Sequence, residues 1–103
     1  MNESVVNIIV MILNEHLRRA PRAYPGGPVS SIICLDDTRW SIQAGEYMHS
    51  TPRDNTGPWT HVEVMGEVDP TYFGLNDGDD ISSYVPIEDV AQEILSRGIK
   101  KLT

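Results

Sequence analysis

The chain has 103 residues, 40% of them hydrophobic and 22% charged, with a formal net charge of −7. That length supports one domain (residues 1–103) with a modest core and excludes two, and the composition excludes an intrinsically disordered chain. A single cysteine, Cys34, excludes an internal disulfide framework and suits a reducing compartment. The longest apolar run, Ile8 to Leu13, is far shorter than the roughly twenty residues a membrane span needs. Met1-Asn2-Glu3 lacks the basic start of an export signal, so the expected location is the cytoplasm.

Residues 3–20 read as a helix, with Asn2 or Ser4 as its cap, Glu3 at its start, and Arg18 and Arg19 near its end. Val5, Ile9, Ile12 and His16, with Ile8 beside them, form one stripe; Val6, Val10, Leu13 and Leu17 form another. Together they make a wider apolar arc than a one-sided surface helix uses. The helix is therefore clamped between two layers, or the stripe Val5, Ile9, Ile12 and His16 is a homodimer contact. Pro21, Pro25, Gly26, Gly27 and Pro28 then form a connecting loop.

Val29 to Leu35 reads as a strand covered on both sides, and Arg39 to Met48 as an alternating strand with Trp40, Ile42, Ala44 and Met48 on one face. The short link Asp36-Asp37-Thr38 joins them as an antiparallel hairpin. After a loop from His49 to Pro58, Thr60 to Val68 alternates again, with Val62 and Val64 opposite His61, Glu63 and Met65. The last element is a helix: Pro86 at its first position, Glu88 and Asp89 in its first turn, and Arg97 and Gly98 at its end. Its apolar stripe is Ile87, Val90, Ala91, Ile94 and Leu95. Helix, strands, helix predicts a two-layer α+β fold with an antiparallel sheet of three to four strands between N-terminal and C-terminal helices.

The charge is not spread evenly. From Asp54 to Ser96 there is no lysine or arginine, yet ten of the fifteen acids lie there: Asp54, Glu63, Glu67, Asp69, Asp77, Asp79, Asp80, Glu88, Asp89 and Glu93. A concentrated negative field steers cationic partners and repels nucleic acid. A bland explanation, solubility, accounts for many acidic surfaces, but an ordinary solvated face mixes both signs. The expected partner is a protein with a basic surface, with no direct contact to nucleic acid.

Other constellations are weaker. Placing Gly78 at the glycine of a calcium loop puts Phe73, Leu75 and Asp77 at the first three ligand positions and Tyr84 at the last, so only one fits. Asn76-Asp77-Gly78 reads as a solvated turn instead. Cys34, His49 and His61 are too few and too dispersed for structural zinc, so no metal or other cofactor is expected. Serines occur without a nucleophile elbow, and Gly26-Gly27 precedes a strand, the wrong order for a phosphate loop, so no catalytic residue is assigned.

The segment Tyr47–His61 gathers Tyr47, His49, Arg53, Asn55, Trp59 and His61, types that combine large contact area with polar tips. It reads either as a binding loop or as a hairpin loop whose Trp59 folds down as a lid on the core. The partner-binding set is then Tyr47, His49, Arg53, Asp54, Trp59, His61 and Glu63 with the acids Glu67, Asp69, Asp77, Asp79 and Asp80. The rival use of the same loop is small-molecule or metal-ion binding, with hydrolysis as a further possibility.

The stretches Ser41-Ile42-Gln43-Ala44-Gly45-Glu46-Tyr47 and Thr51-Pro52-Arg53-Asp54-Asn55-Thr56-Gly57-Pro58-Trp59-Thr60-His61-Val62-Glu63-Val64 resemble short acidic accessory proteins of bacteriophages and prophages. The resemblance implies an inhibitor of host defence, in the manner of anti-CRISPR proteins, acting by binding instead of catalysis. It carries no functional residues with it.

Overall fold

A computed structural model describes residues 3–22, 24–65 and 81–102. Its elements are α1 (Glu3–Arg19), β1 (Ile32–Cys34), β2 (Arg39–Gln43), β3 (His61–Met65), β4 (Ile81–Pro86), α2 (Ile87–Arg97) and β5 (Ile99–Leu102). The strands form one open sheet in the order β4-β3-β2-β1-β5, each neighbour antiparallel. The class is α+β as expected, with five strands instead of three or four.

The topology follows from lengths. β4 lies at one edge of the sheet and β5 at the other, with α2 as the connection between them. Eleven helical residues at ~1.5 Å each reach about 16 Å. Four strand spacings of ~4.8 Å require about 19 Å. The helix alone falls slightly short of that span, and the flanking Pro86 and Gly98 supply the remainder that carries the chain from one edge to the other. Pro86, with φ −54° and ψ 129°, is the N-cap and not the first helical residue. Its backbone still belongs to β4, so one proline ends the strand and starts the helix. At the far end Gly98 adopts φ 77°, and its N–H donates to the Ile94 carbonyl. A Cβ there would both strain the backbone and meet Leu35 Cδ1, so glycine is required.

α1 and α2 pack against one another, and their apolar stripes join the sheet residues in a single core. Val6, Leu13 and Leu17 of α1 and Ile87, Val90, Ala91 and Ile94 of α2 meet Ile32, Cys34, Trp40, Ile42, Val62 and Val64. Of the two predicted α1 stripes, the second is the core stripe. Burial pushes the Cys34 thiol up, which suits a small buried hydrophobe.

β1 is shorter than expected and is not covered on both sides. Ile32 and Cys34 are buried, Ile33 is half-buried and Leu35 is 66% exposed. Val29, outside the strand, is buried because the Gln43 side chain replaces a strand partner: its Oε1 accepts the Val29 N–H and its Nε2 donates to the Val29 carbonyl, both at 2.8 Å. The β1–β2 turn is neutralised by the basic C-terminal segment. Arg97 pairs with Asp36 at 2.7 Å and stacks over Trp40, while Lys100 pairs with Asp37 at 2.8 Å.

Candidate functional site

β2 ends at Gln43, earlier than its alternation predicts, because the chain leaves the sheet at Ala44 and arches over the outer face of β3. The crossing is anchored on both sides. Tyr84 of β4 donates its N–H to the His49 carbonyl at 3.1 Å, and Thr51 bridges back to His61 of β3. Room for it comes from a register shift in β4 opposite Glu63, where Tyr84 takes φ 54°. Under the arch, Glu63 is only 8% exposed and accepts the His49 N–H at 3.0 Å.

Polar side chains hold the arch from within. Asn14, buried on α1, accepts the Trp59 N–H at 2.6 Å and donates to the Trp59 carbonyl at 3.3 Å. Ser50, also buried, lies 3.2 Å from the Gly45 N–H, which donates to it, and 3.1 Å from the Pro52 carbonyl. The Asn55 side chain accepts the Glu46 N–H at 3.1 Å and donates to the Glu46 carboxylate at 3.0 Å. Arg22 donates to the carbonyls of Leu17, Gly27 and Ala44, tying the α1 terminus, the glycine loop and the foot of the arch together. Burial lowers the Arg22 pKa. Among the described residues no buried side-chain nitrogen or oxygen lacks a partner, the condition under which a polar network rigidifies instead of destabilising.

What the arch presents outward is aromatic. Tyr47 is 67% exposed and Tyr24 58%, and both rings lie against Gly26-Gly27. A Cβ on Gly26 would sit 2.7 Å from the Tyr47 ring, and its φ of 78° also favours glycine. Arg53 and Asp54 are exposed at the crown. Asp54 accepts the Gly57 N–H at 2.9 Å and the Thr56 N–H at 3.1 Å, and these bonds, Gly57 first, hold its carboxyl below the ordinary carboxylate value. Because the folded value is the lower one, the stabilisation is full above the unfolded carboxylate pKa and is lost as pH falls through the folded one. The Gly57 and Thr56 amide resonances are expected to shift and lose exchange protection in that acid window in wild type. In Asp54→Ala both should already be unprotected at neutral pH.

Trp59 is not a partner contact. It is 1% exposed, with its indole N–H donated to the Asp54 carbonyl at 3.2 Å, so it is the core lid of the two alternatives. Glu63 is likewise covered. His49 is exposed, stacks on Tyr84 with ring centroids 5.6 Å apart, and its Nδ1 lies 2.8 Å from Ser83 Oγ. Glu63 Oε2 is 3.6 Å from that same nitrogen. A serine–histidine–carboxylate relay uses the two ring nitrogens for its two partners; here both converge on one, which is the geometry of a clip. His61 is occupied locally, 2.9 Å from Thr60 Oγ1. Among the described residues no three His, Cys, Asp or Glu side chains converge as metal ligands.

The acidic run does not act as one surface among the described residues. Glu63 is buried, and Glu93 is paired with Arg97 at 3.0 Å. Asp54 sits on the arch, while Glu88 and Asp89 are exposed in the first turn of α2. Glu67, Asp69, Asp77, Asp79 and Asp80, with the calcium-like turn, lie outside the described residues. Of the proposed dimer stripe, Val5 and Ile12 are half-buried, Ile9 packs on the chain's own core, and His16 Nε2 lies 3.3 Å from the Ser30 carbonyl. No described helix is long and apolar enough to cross a membrane.

Sequence reasoning missed the clips Asn14, Arg22, Gln43 and Ser50, and it missed Tyr24. A polar Asn14 set within the core stripe of α1 was the available signal. No family model matches the chain, and comparison with curated proteins and with solved structures finds no significant similarity.

Proposed function

We propose that this is a non-catalytic binding protein that uses the clipped arch to dock on, and occlude, a basic surface of another protein. The observation that carries the reading is the pairing of two largely exposed tyrosines with a loop whose backbone is held by buried or bonded side chains. A preorganised aromatic contact loses little entropy on binding, and Tyr and Arg dominate binding hot spots. Asp54 and Glu46, both exposed on the arch, supply negative charge beside Tyr47, which favours a cationic counterpart and rapid capture. The resemblance to phage accessory proteins points to host defence proteins, whose nucleic-acid grooves are basic, as the target class. An anti-CRISPR-like inhibitor of that kind works in the host cytoplasm.

Capture from bacterial lysate on immobilised protein, with Tyr47→Ala and Tyr24→Ala as comparisons, tests the reading. Both side chains are exposed, so the variants should fold normally. The expected result is a nucleic-acid-handling protein retained by wild type, released by raised salt, and bound about 30-fold more weakly by the Tyr47 variant, as for a hot spot of ~2 kcal/mol. Equal capture by both variants at all salt concentrations would overturn it.

A further inference from the structure

One arginine site in this chain is complete within the fold. The Arg97 guanidinium lies 5.2 Å from the Trp40 ring centroid, while Asp36 and Glu93 bind its nitrogens at 2.7 and 3.0 Å. The arch carries the same two parts, an aromatic ring and a carboxylate. Tyr47 and Glu46 converge on Gly26: a Cβ placed there would lie 2.7 Å from Tyr47 Cδ2 and 3.4 Å from Glu46 Cγ. Among the described residues no cation stacks on Tyr47 or pairs with Glu46. We propose that this notch takes a single arginine side chain of the protein partner, its guanidinium stacked on Tyr47 and donating to the Glu46 carboxylate.

Both parts are held in place before any ligand arrives. Glu46 is exposed, yet Asn55 Nδ2 donates to its Oε1 at 3.0 Å, and Asn55 Oδ1 accepts the Glu46 N–H at 3.1 Å. Among the described residues Oε2 has no hydrogen bond and remains an acceptor for a donor from outside. The Tyr47 ring rests its Cδ2–Cε2 side on Gly26 and is otherwise open, the residue being 67% exposed. Receiving a guanidinium therefore orders little that is not already ordered, which removes part of the cost of binding. The nearby cations of the chain do not compete. Arg22 is committed to the carbonyls of Leu17, Gly27 and Ala44, and Arg53 forms no ion pair among the described residues.

The geometry selects arginine over lysine. A planar guanidinium offers its face to a ring and its edge N–H groups to a carboxylate at once, and it is weakly hydrated. An ammonium is a compact, strongly hydrated charge, and one open ring without a second wall does not strip that water away. Because the ring and the carboxylate are both exposed, an isolated arginine binds weakly, and the rest of the interface supplies the remaining affinity. The inference rests on the docking reading for its partner and narrows it: within the basic surface, one arginine is the anchor.

The probe is a capped glycine tripeptide with arginine at its centre, titrated into the full chain and followed by amide chemical shifts. Saturable millimolar binding is expected, with shifts centred on Gly26, Glu46 and Tyr47. The lysine tripeptide should bind about threefold more weakly, and the neutral citrulline tripeptide should leave these amides unmoved. Glu46→Gln keeps the Asn55 contact and Tyr47→Leu alters an exposed ring, so both should fold as wild type and bind about fivefold more weakly. Glu3→Gln, at the far end of α1 from the glycine loop, should bind as wild type. Unmoved amides with the arginine peptide, equal binding of all three peptides, or an equal loss in Glu3→Gln would overturn the inference, the last by reducing it to diffuse attraction. Binding seen only in Arg53→Gln would overturn it as well, since the chain's own arginine would then fill the notch. A protein captured through Tyr47 but indifferent to Glu46→Gln would leave the docking reading standing and remove the notch. An arginine peptide bound as expected, with no protein captured, would do the reverse.

Discussion

Asn14→Leu is expected to lower the unfolding free energy by about 2–5 kcal/mol, the cost of leaving two buried backbone groups without partners at ~1–3 kcal/mol each. The wild-type side chain satisfies both the N–H and the C=O of Trp59, a residue that is 1% exposed and distant from Asn14 in sequence. Leucine replaces the volume and adds apolar area on an already apolar stripe, so the loss isolates the hydrogen bonds. In a domain of this size it corresponds to a fall in melting temperature on the order of 10 °C or more. Chemical denaturation should show a lower midpoint with an unchanged slope, since the surface exposed on unfolding stays the same. Amide exchange should accelerate first at Trp59 and Thr60. A loss below about 1 kcal/mol would mean that water or a shifted backbone satisfies Trp59 instead, and that Asn14 does not anchor the arch.

The same residues explain what was legible in the sequence. α1 and α2 were readable because their apolar spacing repeats over several turns and their ends carry charge and proline or glycine signals. β4 was not. Its alternation is interrupted by the register shift at Ser83 and Tyr84, and Pro86 resembles a helix start when its strand role is unseen. β5 carries two lysines in four residues, which suits a protected edge and hides its strand character. The arch was recognised as a place of interest by its residue types. Its geometry depended on partners far away: Asn14 on Trp59, Gln43 on Val29, Glu63 on His49. A linear pattern contains no information about which backbone group a polar side chain will reach, and so it could not separate Trp59 the lid from Tyr47 the exposed ring. The acidic run shows the converse limit. Sequence proximity grouped Glu63 and Glu93 with exposed acids, but folding buried one and paired the other.

Arg22→Met should cost about 2–4 kcal/mol, given that charge-assisted hydrogen bonds contribute ~1.5–3 kcal/mol each and that carbonyls at a half-buried site regain part of this from water. Its three acceptors belong to three different segments: Leu17 in the last turn of α1, Gly27 beneath Tyr24, and Ala44 where β2 becomes the arch. One planar fork spans them, which a lysine ammonium, as a compact point charge, does not. Arg22→Lys is therefore expected to recover less than half of the loss despite conserving charge. The functional consequence separates this site from Asn14. Removing Arg22 frees the glycine loop from the arch foot, so Tyr24 and Tyr47 lose their common support while Trp59 stays in the core. Partner affinity should then fall further than stability predicts, with exchange protection lost at Gly27 but retained at Trp59. If Arg22→Lys matched wild type in both stability and affinity, the guanidinium geometry would be irrelevant, and the preorganisation of the two tyrosines would need another source.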